Sequence, residues 1–206
     1  DDPIFDAVSF TGTSTLSVNC PRIGRSLNME GVNQAVTFSL ANAVECYGSF
    51  ILGSNINFIN VYMTSLFTQT LSNINIFNNI FNAVYIQIHR GDWVMLSDLT
   101  LMGGIVINNN STFKVNGFTL TSKFISYASN SHVILDIRDS IVILKQTDGN
   151  AINLPTAWSI LSENSIINLN PLSGANDVSF SAGSRAFDKV IFSGAHTGNF
   201  DVSGNN

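Results

Sequence analysis

The sequence predicts an all-β chain wound as a right-handed parallel β-helix, a β-solenoid, with a β-sandwich as the alternative. Three observations favour this fold. Short segments with period-two alternation of polar and apolar residues run along the chain. Asn, Ser and Gly separate these segments where the chain must turn. The same strand-and-turn pattern then recurs without a break. Strand starts about 8 to 12 residues apart fit a sandwich equally well, so the alternative stays open.

The composition is that of a folded chain with an uncharged polar surface. Its 206 residues are 45% hydrophobic and only 11% charged. Hydrophobic residues this frequent and evenly spread can offset chain entropy by burial. We therefore predict one module over residues 1–206. Because solenoids need polar caps, we expect it to be a fragment of a longer repetitive chain whose neighbouring repeats are its partners.

Individual strands can be placed in order from their alternation. The clearest are Ser14–Cys20, Asp98–Met102, Thr112–Asn116 and Gly117–Thr121, each with one wet face. Segments of the same kind follow one another as far as Phe192. Val, Ile, Phe and Thr are common throughout, and these residues favour strands over helices. No helix of normal length is predicted.

Asn is dense at the edges of these segments, as in Asn55–Asn60 and Asn73–Asn79, and Asn116–Gly117 marks a turn. Asn tolerates the left-handed backbone conformation that tight corners require, and stacked amides can form a hydrogen-bonded ladder. We therefore expect Asn at the corners of the solenoid. The Asn-rich stretch from Asn55 to Ile88 interrupts the pattern, and we expect the solenoid to widen, bulge or present its partner surface there.

Two Gly- and Asn-rich segments are the candidates for protruding loops that carry a binding site. They are Asp148–Pro155 and Leu169–Asp177. Turn-forming residues such as Gly, Asn and Pro predict a loop at both places. The sequence names no individual binding residue in either.

The charge and hydropathy patterns exclude two kinds of partner. Nine basic and fourteen acidic residues give a net charge of -5, so the electrostatic footprint of a nucleic-acid-binding protein is missing. No apolar run approaches the roughly 18 residues that a transmembrane helix needs. We expect neither nucleic acid nor a membrane span.

Cys20 and Cys46 are the two cysteines of the chain. If one turn of the solenoid takes about as many residues as separate them, the pair could stack on adjacent coils at a distance that a disulfide tolerates. An extracellular location would suit such a bond. The alternative is two separately buried thiols.

Carboxylate pairs are the first candidates for catalysis, and the many serines leave a Ser/His/Asp triad as a second. Glycoside hydrolysis needs two carboxylates roughly 5 to 9.5 Å apart, and Asp92 with Asp98 and Asp136 with Asp139 are the pairs to consider. Residues three apart in a strand face opposite sides, so Asp136 and Asp139 can cooperate only if a turn separates them. A Gly-x-Ser-x-Gly elbow is also missing. We therefore predict no catalytic residue, no enzyme activity and no cofactor.

Metal ligands are equally sparse. The scattered His89, His132 and His196 lack the ligand spacing of a zinc site. Oxygen ligands for calcium come close together in sequence only at Asp136 with Asp139 and at Asp148 with Asn150, and solvated surface groups explain these better. No metal site is predicted.

Three consecutive segments carry a family resemblance: Gly91–Ile107, with Trp93 and Gly103–Gly104, then Thr112–Ser122 and Phe124–Ser131. Their strand, glycine-turn and strand pattern resembles the large repetitive cell-surface adhesins of Bacteroidetes. The resemblance covers most of the chain and fails between Asn55 and Ile88. Its motifs consist of common strand and turn residues.

This resemblance implies secretion through the outer membrane by the type IX route and an extracellular, outer-membrane-associated location. It implies a structural and adhesive role in surface attachment or gliding motility and no catalytic residues. Surface glycans or other cell-surface components are the candidate partners for such a role. Asp139-Ser140-Ile141 also resembles the short sequence at which Bacteroidetes proteins are O-glycosylated, which makes Ser140 a candidate site. The alternative function is a carbohydrate-active β-helix, a polysaccharide lyase, a hydrolase or a tailspike-like protein.

Overall fold

The computed structural model describes residues 4–18, 27–29, 31–40, 50–52, 56–66, 72–76, 80–89, 91–95, 98–101, 103–108, 110–127, 132–146, 149–155, 157–171, 177–181, 186–194 and 197–203. All regular secondary structure in these ranges is β-strand. Within them, no helix has the length and apolar character needed to cross a membrane.

In chain order, the strands are β1 (Ser14–Val18), β2 (Leu27–Met29), β3 (Val36–Leu40), β4 (Phe50–Leu52), β5 (Ile56–Leu66), β6 (Ser72–Ile76), β7 (Ile80–His89), β8 (Gly91–Met95), β9 (Leu99–Leu101), β10 (Gly104–Ile107), β11 (Ser111–Lys114), β12 (Thr119–Ser122), β13 (Ile125–Tyr127), β14 (Val133–Asp136), β15 (Ile141–Leu144), β16 (Gly149–Asn153), β17 (Ser159–Leu161), β18 (Ile166–Leu169), β19 (Val178–Ser181), β20 (Lys189–Phe192) and β21 (Phe200–Ser203).

These strands line three faces of a right-handed parallel β-helix. Face one is the sheet of β2, β4, β6, β8, β11, β14 and β17. Face two contains β1, β3, the first halves of β5 and β7, then β9, β12, β15, β18 and β20. Face three contains the second halves of β5 and β7, then β10, β13, β16, β19 and β21. One coil, such as β11, β12 and β13, takes one strand from each face.

Parallel pairing decides between the two predicted folds. Strands on neighbouring coils of the same face pair in parallel, as β11 does with β8 and β14, and β12 with β9 and β15. A β-sandwich would be built from antiparallel neighbours. The predicted parallel β-helix is confirmed, and the sandwich alternative is wrong for the described part of the chain.

The length of a coil varies. Ser111 pairs with Val133 and Leu120 pairs with Val142, whereas side-chain hydrogen bonds between neighbouring coils join residues from 19 to 29 positions apart. Apart from register shifts in the β5–β7 and β16–β19 pairs, paired strands stay in register, so the corners absorb most of this variation. The repeat is therefore structural, without a strict period in the sequence.

The predicted irregularity in the Asn-rich stretch is confirmed. Ile80 and Phe81 of β7 pair with β9, while Tyr85–Ile88 of the same strand pair with β10. The strand therefore runs through faces two and three with no corner between them. Its pairing with β5 shifts register around Val61, as at a β-bulge.

Inward-facing side chains form three apolar columns, one behind each face. Because paired strands are in register, an inward residue on one coil lies beside an inward residue on the next. The exposed fraction of each of these side chains is at most 4%. The columns contain Trp93, Phe113 and Leu135 behind face one, Leu99, Leu120, Val142 and Ile167 behind face two, and Ile105, Ile125, Ile152 and Phe180 behind face three.

The first and last described coils differ in how far their apolar side chains are covered. Near the N-terminus, Phe5 and Phe10 stack with ring centroids 5.7 Å apart and pack against the core. On β20 and β21, Phe192 and Val202 stand in register with the buried Leu169 and Phe180. They are nevertheless 44% and 47% exposed. The interior columns thus extend to partly exposed side chains on β20 and β21.

The prediction of a protruding loop at 148–155 is wrong. Gly149–Asn153 is β16, and Ala151, Ile152 and Leu154 are buried. Burial of three apolar side chains outweighs the turn preference of the neighbouring Gly and Asn. Most of the second candidate loop, together with Cys20, Cys46 and Asp148, lies outside the described residues.

Candidate functional site

A set of hydrogen-bonded polar groups lies at the corner between faces one and two. Three consecutive coils turn there, at 115–118, 137–140 and 162–165. In each turn the N–H of the fourth residue donates to the carbonyl of the first, at 3.3, 3.2 and 3.1 Å. The adjoining ladders place Lys114 beside Asp136 and Asp136 beside Leu161, so the turns lie on top of one another. We call this set the turn column.

Left-handed backbone conformations shape the turn column. The third residue of each turn has positive φ: 81° at Gly117, 56° at Asp139 and 56° at Asn164. In the first turn Asn116 is also left-handed, with φ 60°. This pair gives the Asn-Gly type I′ pattern, whereas the other two turns follow type II. The expectation that Asn occupies solenoid corners is confirmed here and at Asn110, with φ 55°.

Hydrogen bonds along the turn column join successive coils. Asn116 Nδ2 donates to the carbonyl of Met95 at 3.1 Å, and Gly117 N donates to Ser140 Oγ at 3.0 Å. Asn164 Nδ2 donates to Asp139 Oδ1 at 3.0 Å. The predicted ladder of stacked amides therefore takes a mixed form, with amide, hydroxyl and carboxylate groups sharing the column.

The strongest charge pairing at the site is between Asp136 and Arg138. The guanidinium donates from Nε to Oδ1 at 2.9 Å and from Nη2 to Oδ2 at 2.6 Å. These bonds hold the pKa of Asp136 below its ordinary value, against the opposing effect of burial. The hydrogen bonds to Asp136 in turn raise the pKa of Arg138. Glu163 lies farther from the guanidinium, with Oε2 4.0 Å from Nε. Asp136 is therefore an ionised, bonded carboxylate at neutral pH.

Asp98 and Asp177, like Asp139, bond to a neighbouring coil. Asp98 Oδ1 accepts the N–H of Thr119 at 2.8 Å, and Asp177 Oδ1 accepts the N–H of Asn199 at 2.8 Å. A charged acceptor on a backbone N–H makes a stronger hydrogen bond than a neutral one. Aspartates of this chain thus bind one coil to the next.

In neither candidate carboxylate pair do the two side chains bind the same group. Asp92 lies on β8 of face one, whereas Asp98 precedes β9 on face two and bonds to Thr119. A turn does separate Asp136 from Asp139, which is the condition under which they could cooperate. Asp136 bonds to Arg138, however, and Asp139 bonds to Asn164.

Ser140 is deeply buried, with 1% of its surface exposed. Its Oγ donates to the carbonyl of Arg138 at 2.8 Å and accepts the N–H of Gly117. O-glycosylation of Ser140 stays a prediction, and it would require this hydroxyl to leave both bonds. In the part of the chain that the structure describes, no three His, Cys, Asp or Glu residues are grouped to hold a metal ion.

Sequence reasoning missed Arg138 and the coil-joining role of the aspartates. Asp136 and Arg138 are only two residues apart in the sequence, but Arg138 lies in the turn after β14, where strand alternation does not predict which side chains meet. The bonds from Asp98 and Asp177 reach 21 and 22 residues along the chain. No local pattern identifies such distant partners.

None of the family models, curated proteins and solved structures compared with this chain matches it.

Proposed function

We propose that this chain is a structural and adhesive segment of a large secreted cell-surface protein that serves surface attachment or gliding. It works outside the cell at the outer membrane, beside neighbouring repeats of the same long chain. The observation that carries this proposal is the use of its aspartates. Asp98, Asp139 and Asp177 each accept a hydrogen bond from a neighbouring coil. These acidic groups add coil-to-coil bonds to the backbone ladders.

The proposed mechanism is mechanical. Parallel ladders place successive coils about 4.8 Å apart, and each coil is joined to the next by backbone pairing, apolar columns and polar corner bonds. Close packing of this kind resists deformation. The rod then presents its outer hydroxyl and amide groups at fixed spacing, and many weak contacts along it give avidity for a surface rich in glycans.

The state of Asp136 rules out this one residue as the general acid of a glycosidase. The general acid of a glycosidase is protonated at working pH and has a raised pKa. The pKa of Asp136 is lowered, and both of its oxygens bind Arg138. An ionised carboxylate in this arrangement cannot donate a proton to a leaving group.

The test is a binding and turnover experiment on one preparation. Beads coated densely or sparsely with the folded chain are held under flow on surfaces bearing different polysaccharides, and heat-unfolded chain is the control. We expect retention that rises steeply with coating density and vanishes for the unfolded chain. Retention no better than that of the unfolded control would overturn the adhesive role.

Turnover is measured on the same polysaccharides as release of reducing ends and of unsaturated products. We expect none. If products form, and Asp98→Asn or Asp136→Asn abolishes them while the circular dichroism spectrum is kept, the carbohydrate-active alternative replaces the adhesin proposal.

A further inference from the structure

We propose that Asn116–Gly117 is a site of spontaneous deamidation and isomerisation, and that the folded turn column suppresses this reaction by holding both reacting groups. The inference goes beyond the adhesive role and does not depend on it. A stalk that works for long periods outside the cell would be exposed to slow chemistry of this kind.

The reaction needs no enzyme. The backbone nitrogen of Gly117 loses its proton to a base in solution and attacks Cγ of Asn116, forming a C–N bond. The Cγ–Nδ2 bond then breaks and Nδ2 leaves as ammonia, giving a five-membered succinimide. Water opens this ring at either carbonyl, giving aspartate or isoaspartate. A following glycine favours cyclisation because it has no Cβ to hinder the ring.

Neighbouring coils hold both reacting groups of this dipeptide. The attacking nitrogen, Gly117 N, donates to Ser140 Oγ on the next coil at 3.0 Å. The leaving amide, Asn116 Nδ2, donates to the Met95 carbonyl on the preceding coil at 3.1 Å. The turn itself is closed by the bond from Phe118 N to Val115 O at 3.3 Å. Cyclisation must break the first two bonds and rotate Asn116 out of its left-handed conformation.

The chain also supplies a matched pair of serines. Ser140 and Ser165 are each the fourth residue of successive turns of the column, and both are buried, at 1% and 0% exposed. Ser140 Oγ accepts the N–H of Gly117. Ser165 Oγ, by contrast, makes no hydrogen bond within the described structure. Removing the hydroxyl should therefore affect Asn116 in one case and leave it unchanged in the other.

The reaction is followed by incubating the folded chain at neutral pH and sampling it by tryptic digestion. Cleavage after Lys114 and Lys123 releases the peptide of residues 115–123. Its aspartate and isoaspartate forms are separated by chromatography and identified by the mass change of amide-to-acid conversion. The same chain in concentrated urea gives the rate for the unfolded turn.

We expect the folded chain to react roughly tenfold to a hundredfold more slowly than the unfolded chain, because local opening must come first. Ser140→Ala should speed the reaction several-fold in the folded state and leave the unfolded rate unchanged, while Ser165→Ala changes neither. Equal rates for folded and unfolded wild type would overturn the proposal, and this comparison needs no variant to fold. A Ser140→Ala rate equal to that of the folded wild type would show that Ser140 does not hold the turn.

Discussion

Replacing Phe113 with alanine tests whether the apolar columns hold the rod together. Phe113 is fully buried, in register with Trp93 on the preceding coil and Leu135 on the next. Truncating a buried phenylalanine removes its transfer free energy and leaves a cavity, at a cost of about 3 to 5 kcal/mol. Since both neighbouring coils lose contacts, we expect a value within this range.

Phe192 offers the same substitution at the edge of the column. It is 44% exposed and contacts Phe200 edge-to-face, with ring centroids 4.8 Å apart. With about half of the side chain already in water, Phe192→Ala should cost only about 1 to 2 kcal/mol. The two substitutions remove the same atoms and differ in how deeply the phenylalanine ring is buried.

The assay is equilibrium unfolding in urea, followed by far-UV circular dichroism and by the fluorescence of Trp93 and Trp158. With a slope of about 2 to 3 kcal/mol per molar urea, Phe113→Ala should lower the midpoint by about 1 to 2.5 M and Phe192→Ala by less than about 1 M. Coincidence of the two signals shows whether the rod unfolds in one step. Equal shifts for the two variants would refute the placement of Phe113 inside and Phe192 at the edge.

Three further predictions concern the corners and the charged pair. Gly104→Ala should cost about 1 to 3 kcal/mol, because a Cβ there would overlap the ring of Phe124; an unchanged urea midpoint would contradict this packing. Gly117→Ala should cost about 1 to 2 kcal/mol, since alanine is strained at φ 81°, whereas Gly12→Ala, with open space and no positive φ, should be nearly neutral in thermal unfolding. Asp136→Asn should destabilise the chain at pH 7 by less than Phe113→Ala does. Since the folded-state pKa of Asp136 is lowered, its contribution to the free energy of unfolding is present above the unfolded-state pKa and disappears as pH falls through the folded-state pKa. If the difference in stability between wild type and variant persists at the lowest pH, the carboxylate is not its source.

Local sequence predicted the corner chemistry well. Asn116–Gly117 specifies a type I′ turn because both residues tolerate positive φ, and the turn appears there. Because Gly117 belongs to this turn, the next strand begins at Thr119 and not at Gly117, as alternation alone predicted. Asp148–Pro155 failed for the opposite reason, since its apolar residues are buried by coils distant in sequence.

Short strands and tight turns could be predicted from the amino-acid pattern alone, because alternation and turn propensity act between residues a few positions apart. The three-dimensional structure was needed to choose the predicted parallel β-helix over the sandwich, and to reveal that Asp98 and Asp177 join neighbouring coils and that the hydroxyl of Ser140 is buried. Those features depend on partners about one coil away. The corners set that distance, and it varies from 19 to 29 residues, so no fixed spacing in the sequence encodes it.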